Sequence, residues 1–366
     1  MVRSWVPTRR HLGGDITDTL ESTRLIDGAG LAPQLPTPRG AISRAVVALL
    51  ASDADATTPD VTLAIDAAAV DAADPYGDDL QLALHVCYEL HYRGFAGVDA
   101  EWEWNPALLT LRARLERVFR ASVVADTAVS PDTGAAEVEA EMDALSTEPM
   151  DGEGPSWFLR QEGTWEQMRE MFALRSIYHL KEADPHAWAI PRLTGQAKAS
   201  FVAVEFDEFG GGRGDRVHQQ LFADLMRAAD LDTAYLGYLD RAPAAALVPV
   251  NLMTMFGLHR ASRGATVGHL AATEITSSPG SRRLAEALQR LDAPQECAAF
   301  YLEHVEADAV HEQVLRTDVV GDLVTREPST APDVLFGMRA FGLVEDRLAD
   351  HMMRSWLAGR SAIDLG

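Results

Sequence analysis

The sequence predicts an all-α protein, and three observations carry that prediction. Apolar residues recur at helical spacing along most of the chain. No stretch of useful length alternates apolar and polar residues as a half-buried strand does. There is no internal repeat, so the helices do not stack as a solenoid.

In chain order, residues 1–40 are rich in Gly, Pro and Thr and read as an irregular arm. Residues 41–51 form an apolar helix and 52–60 a polar linker; 61–72 fit a short helix or a short strand. From Gly77 to Gly94, Leu80, Leu82, Leu84, Val86, Cys87 and Leu90 give a helical pattern, with Asp78 or Asp79 placed to cap it. Glu101-Trp102-Glu103-Trp104-Asn105-Pro106 reads as a loop with aromatic anchors, followed by an amphipathic helix over 107–122. The strongest breakers are Ser130-Pro131-Asp132-Thr133-Gly134 and the segment from Pro149 to Pro155. They predict a boundary near 150, between an N-terminal helical region (1–150) and a C-terminal domain (151–366). Apolar helices at 41–51 and 80–94 need a partner surface, which makes the first region the expected homodimer contact.

Beyond the boundary, helices are expected at 165–184, 191–209, 215–229, 231–240, 244–260 and 263–276. Pro279-Gly280 marks a stop, and 281–291 is helical again. Pro294 opens a helix that runs to about Asp318, and the last helix covers 331–358.

Charge and cysteine content narrow the function classes. The 32 Lys+Arg against 55 Asp+Glu leave a net charge of −23, which argues against nucleic acid or an anionic membrane as main partner. Cys87 and Cys297 lie in apolar helical patterns and read as reduced core residues. The first residues lack the apolar core of a signal peptide, and no apolar run reaches the about 18 residues that span a bilayer. A soluble cytoplasmic protein is expected.

The chemistry concentrates in Phe300-Tyr301-Leu302-Glu303-His304-Val305-Glu306-Ala307-Asp308-Ala309-Val310-His311. His304, Asp308 and His311 stand at i, i+4 and i+7, on one helix face with Phe300 and Leu315. That face packs inward, and a buried carboxylate between two imidazoles needs a compensating partner. Two imidazoles and a carboxylate are half of a first-row metal site.

Four further residues offer the other half. Glu274 is a lone carboxylate in an apolar helix, His218 opens the 215–229 pattern, and Glu182 ends the 165–184 helix. Glu205 and Glu208 lie at the end of the 191–209 helix. Glu208 and His218 are ten residues apart, roughly 80° from sharing a face on an unbroken helix. Gly210-Gly211-Gly212 between them allow a break that re-aims one side chain. Glu182, Glu208, His218, Glu274, His304, Asp308 and His311 together are the inventory of a carboxylate-bridged two-iron centre. His85, Glu89 and Tyr92 also share a helix face and read as a polar network joining two helices.

The arrangement resembles the heme-oxygenase-like diiron oxidases and oxygenases, the iron-containing redox enzymes, over about residues 155–357. Their pattern is a Glu then a His on one helix pair, a lone Glu, then His-x3-Asp-x2-His. Here it maps onto Glu208 and His218, then Glu274, then His304, Asp308 and His311. Glu182 matches a further upstream carboxylate of N-oxygenating members. Many members place the first Glu and His seven apart, where this chain has Gly211, so the longer spacing to Glu208, or Glu205 instead, must serve.

The resemblance implies a heme-oxygenase-like bundle with an N-terminal extension, two Fe(II)/Fe(III) ions and O2 as cosubstrate. It implies oxidation of a small amine or amino acid in a biosynthetic pathway. Phe201, Phe222, Met253, Met255, Phe256 and Phe300 are candidates to line the substrate pocket, and Arg260 or Arg263 to clamp a carboxylate. A second reading is cleavage, desaturation or decarboxylation of an aliphatic acid by the same centre. A third, of another class, is a metal-free helical binding or scaffold protein.

Overall fold

The computed structural model describes residues 32–52, 67–148 and 151–366. Expectations that fall on 1–31, on 53–66 and on Pro149 and Met150 lie outside the described residues. The described residues hold helices and turns and no strand.

The helices are α1 (Ala41–Leu50), α2 (Ala67–Asp71), α3 (Asp78–Glu89), α4 (Pro106–Thr127), α5 (Ala135–Ser146), α6 (Pro155–Gln161), α7 (Trp165–His179) and α8 (Asp184–Ala187). They continue as α9 (Gly195–Glu208), α10 (His218–Ala228), α11 (Ala244–Leu258), α12 (Arg263–Arg290), α13 (Gln295–Val314), α14 (Asp322–Arg326) and α15 (Ala331–Leu357). A π-helical stretch, Leu315–Gly321, links α13 to α14.

α12 lies along both α13 and α15 and forms the spine of the bundle. Small residues make the α12–α15 approach close. A Cβ at Gly268 would overlap the Val334 carbonyl, and one at Gly337 would overlap that of Ala265. The expected stop at Pro279-Gly280 does not occur, because α12 runs through it to Arg290. Proline inside a helix costs about 3 kcal/mol. Burial of Ala287 and Leu288 beyond the proline works against that local cost.

Three other expectations are corrected. Residues 231–240 are a run of turns rather than a helix, with Asp230 and Leu236 at positive φ and Asp232 Oδ1 accepting the Ala234 N–H at 2.9 Å. α5 forms inside the breaker-rich segment. Its Glu137 side chain accepts the Gly134 N–H at 3.0 Å, and it buries only Val138 and Met142, too few for a periodic signal. The Glu101–Asn105 loop winds as a 3₁₀ turn, Ala100–Trp104, in which Trp102 is the buried anchor and Trp104 is exposed.

α3 is buried on all sides from Leu80 to Glu89 and packs against α1, α4 and α11. The faces of α1 and α3 for which a second protomer is expected are thus covered within the chain. One core joins α1, α3 and α4 to α7, α10, α11 and α15. A second joins α5, α9, α12, the π-helical stretch and α15. Cys87 and Cys297 are buried free thiols.

Candidate metal centre

Four segments converge beside α13. α7 ends at His179, and the turn after it carries Glu182. α9 ends on Glu208, and α10 begins on His218. Between them Gly210, Gly211 and Gly212 all have positive φ, at 72°, 61° and 82°. Only glycine adopts three such residues in succession without strain. The reversal brings Glu208 Oε2 to 2.7 Å from His218 Nδ1. α12 contributes Glu274, and α13 contributes His304, Asp308 and His311.

All seven residues singled out in the sequence are buried and fall into two groups. Glu182, His218 and His304 make one; Glu208, Glu274, Asp308 and His311 make the other. Within each group the donor atoms lie within 4.8 Å of one another. Glu208 faces both. Its Oε2 approaches His218, while its Oε1 is 3.7 Å from His311 Nδ1. Glu205, the alternative to Glu208, belongs to neither group. It is 2 % exposed, and neither of its oxygens has a partner.

The imidazoles are oriented by what their outer nitrogens meet. His304 Nδ1 lies 2.7 Å from the Phe300 carbonyl, which can only accept, so Nδ1 carries the proton. Nε2, 3.9 Å from Glu182 Oε1, is the nitrogen that offers a lone pair once the ring is neutral. Glu182 Oε1 also accepts from His179 Nδ1 at 2.9 Å. His311 Nδ1 lies 3.1 Å from Glu274 Oε2.

The electrostatics are those of too many acids in too little water. Burial, with the charges of Asp308 and Glu208, holds the Glu274 carboxyl well above the usual carboxylate range. Burial raises Asp308 against the pull of His304. Burial and the neighbouring Glu208 and Asp184 push Glu205 up to about 9. At Glu182 burial is outweighed by His179 and then His304, and the carboxyl is lowered. His304 is pulled down by burial but pushed further up, to about 10, by Glu182, Asp308 and Glu208. A bound dication reverses this arrangement, favouring every carboxylate in its ionised form.

The donor set fits first-row divalent ions on two counts. It is all nitrogen and oxygen, the chemistry such ions take in redox sites. Furthermore, Glu182 Oε2, His218 Nδ1, His304 Nε2 and both Asp308 oxygens are buried with no hydrogen-bond partner. The short His218–Glu208 approach is out of line for a hydrogen bond. Most buried polar atoms are satisfied, so a cluster of orphans aimed at one place calls for a ligand. The cavity among them measures about 20 Å³, room for a particle the size of one water.

Other expectations resolve differently. His85, Glu89 and Tyr92 form a buried network. His85 meets Asn251 at 3.2 Å, Glu89 pairs with Lys181 at 2.5 Å, and Tyr92 meets Thr254 at 3.0 Å. Arg263 pairs with Glu327 and is eleven residues from Glu274, roughly 16 Å along α12. Arg260 is exposed. Neither guanidinium stands at the centre. Of the proposed apolar lining, Phe300 and Phe222 pack beside the site, with the Phe300 ring 4.2 Å from that of His304 and the Phe222 ring 4.6 Å from that of His179. Phe201, Met253, Met255 and Phe256 are core.

Four neighbours escaped the sequence. His179 stands three residues before Glu182, a spacing that was there to be found. Asp207 meets His311 Nε2 at 3.3 Å. His186 Nε2 and His269 Nδ1 lie 3.1 Å apart, and burial lowers His186 to about 4 and His269 well below its ordinary range. No spacing links 186 to 269.

One family model matches the chain over the helices that carry this site. Residues 169–346 match the family model described as iron-containing redox enzyme, and that segment contains all seven residues. No curated protein matches the chain.

Proposed function

We propose that this protein, whose residues 169–346 belong to the iron-containing redox enzymes of heme-oxygenase-like fold, is an O2-dependent oxidoreductase with a two-iron centre. Its substrate on this reading is a small amine or amino acid. The observation that carries it is the joining of two buried donor groups through one carboxylate, Glu208.

Glu182, His218 and His304 would hold one ion, and Glu208, Glu274, Asp308 and His311 the other. Four carboxylates balance the charge of two dications, which explains why so many acids are buried together. Bound iron supplies the electrons that reduce O2. The chain supplies the rest. Phe222 and Phe300 keep water from the imidazole side. His179 holds Glu182 in place through its Nδ1–H. The Phe300 carbonyl keeps the proton of His304 on Nδ1.

The nitrogen substrate follows the resemblance to N-oxygenating members, whose further upstream carboxylate Glu182 matches. Tyr178, His186, Glu205, Thr273 and Ser277 stand around the donors together with Ala183 and Leu270.

Anaerobic Fe(II) titration followed by O2 uptake with a panel of amines, amino acids and aliphatic acids tests this. Saturation at one ion per donor group is expected, with O2 consumption accelerated by a nitrogen compound. Protein that takes up no iron would return the chain to the class of helical scaffolds.

A further inference from the structure

We infer that Asp207 is a positioning residue for this centre, holding His311 by Nε2 so that the ring presents Nδ1 to Glu208, Glu274 and Asp308. The inference rests on the two-ion reading above and concerns a residue outside both donor groups.

The two nitrogens of His311 face different surroundings. Nδ1 lies 3.1 Å from Glu274 Oε2, 3.7 Å from Glu208 Oε1 and 3.8 Å from Asp308 Oδ1. Nε2 points the other way, 3.3 Å from Asp207 Oδ2. An imidazole binds an ion through the nitrogen that bears no proton. To serve its group, His311 must therefore carry its proton on Nε2, where Asp207 accepts it.

Asp207 and Glu274 compete for that proton, at 3.3 Å from Nε2 and 3.1 Å from Nδ1. Without Asp207 only Nδ1 keeps a carboxylate in hydrogen-bond reach, and a proton on Nδ1 occupies the lone pair the ion needs. His304 needs no such helper. Its Nδ1 proton goes to the Phe300 carbonyl, one turn earlier on the same helix. His311 takes its partner from α9 instead. Asp207 and Glu208 are successive residues, about 100° apart around that helix. Glu208 is turned inward and buried, while the Asp207 side chain is 60 % exposed at the rim of a polar cavity of about 310 Å³. One turn of α9 thus supplies both a donor and the outer support of a donor on α13.

Outer carboxylates of this kind are worth about 10–100-fold in metal affinity. The test is Co(II) titration of the full chain, followed by the visible spectrum of the bound ion. In Asp207→Ala one of the two Co(II) equivalents is expected to weaken by about 10–100-fold, with a changed spectrum for that ion. Asp207→Asn keeps an acceptor oxygen and should restore most of the affinity. Glu306→Gln removes a negative charge from the same cavity and should leave both equivalents as in the parent. Parent-like binding in Asp207→Ala would overturn the inference. So would an equal loss in Glu306→Gln, which would reduce the effect to overall charge.

Nitrogen NMR of the metal-free protein separates this from the two-ion reading. Proton occupancy at His311 Nε2 is expected to fall, and that at Nδ1 to rise, from the parent to Asp207→Ala. An unchanged His311 spectrum overturns the inference even if the parent binds Co(II). A parent that binds none removes the two-ion reading, and with it the role, even if the tautomer shifts.

Discussion

Glu208 and His218 stand ten residues apart in the chain and 2.7 Å apart in space, because three successive glycines at positive φ reverse the backbone between them. The bridge between the two donor groups depends on that reversal. A Cβ at Gly210 would also run into the backbone of Arg216 and Val217. Gly210→Ala is expected to cost about 1–3 kcal/mol in urea unfolding and to weaken binding of both ions. Gly214→Ala is the control, since nothing lies near its Cβ and its φ is not positive. Equal behaviour of the two variants would show that the loop tolerates other paths.

Asp308 is buried with both oxygens unpartnered and shares a group with His311, while His304 belongs to the other group. Asp308→Asn keeps size and hydrogen-bonding capacity but removes a charge. It is expected to keep the fold, lose one iron and lose reactivity with O2. His304→Ala is expected to impair the other ion. Fe(II) titration and stopped-flow absorbance after O2 mixing read both. An Asp308→Asn variant that bound iron and reacted as the parent does would remove this ligand assignment.

Stability of the metal-free protein should fall as pH rises from about 7 towards about 9; below about 6.5 the lowered His186 and His269 act in the opposite direction. Glu205, raised to about 9, binds a proton in the folded state that the unfolded chain has already lost. Glu274 and Asp308 are raised and act in the same direction. His304, raised to about 10, stabilises fully below its ordinary value, and that contribution is lost as pH rises through 10. The lowered Glu182 acts oppositely, but its contribution is already complete above the ordinary carboxylate value. Thermal melts in chelator from pH 7 to 9 test the slope. Glu205→Gln should flatten it; a melt that rises across this window would contradict the assignment.

The Glu89–Lys181 pair links α3 to the turn that carries Glu182. Both side chains are essentially inaccessible, and Tyr235 donates to Glu89 at 2.8 Å. Lys181→Met leaves a buried carboxylate uncompensated and is expected to cost about 3–5 kcal/mol in chemical denaturation. Adding Glu89→Gln should recover much of that loss. If the single variant cost no more than an exposed pair does, the network would not be what seats Glu182.

Much of the centre was legible before any fold was in hand. His304, Asp308 and His311 share a face because helical geometry converts spacing into direction, and Glu274 stood out as a lone charge among apolar neighbours. The helical class followed from periodicity in the same way. These are properties of one element at a time, and each depends only on residues within a few turns.

Tertiary structure decided what depends on two elements meeting. Glu205 and Glu208 are both buried on one helix, and only the packing of α9 against α13 turns Glu208 towards His311 and leaves Glu205 outside the groups. Pro279 is a stop signal by local rule, yet burial along α12 carries the helix through it. Asp207 acquires a role only because α9 ends beside His311, a hundred residues further along the chain. Spacing fixes angles within a helix; the packing of side chains between helices fixes which of those angles face each other.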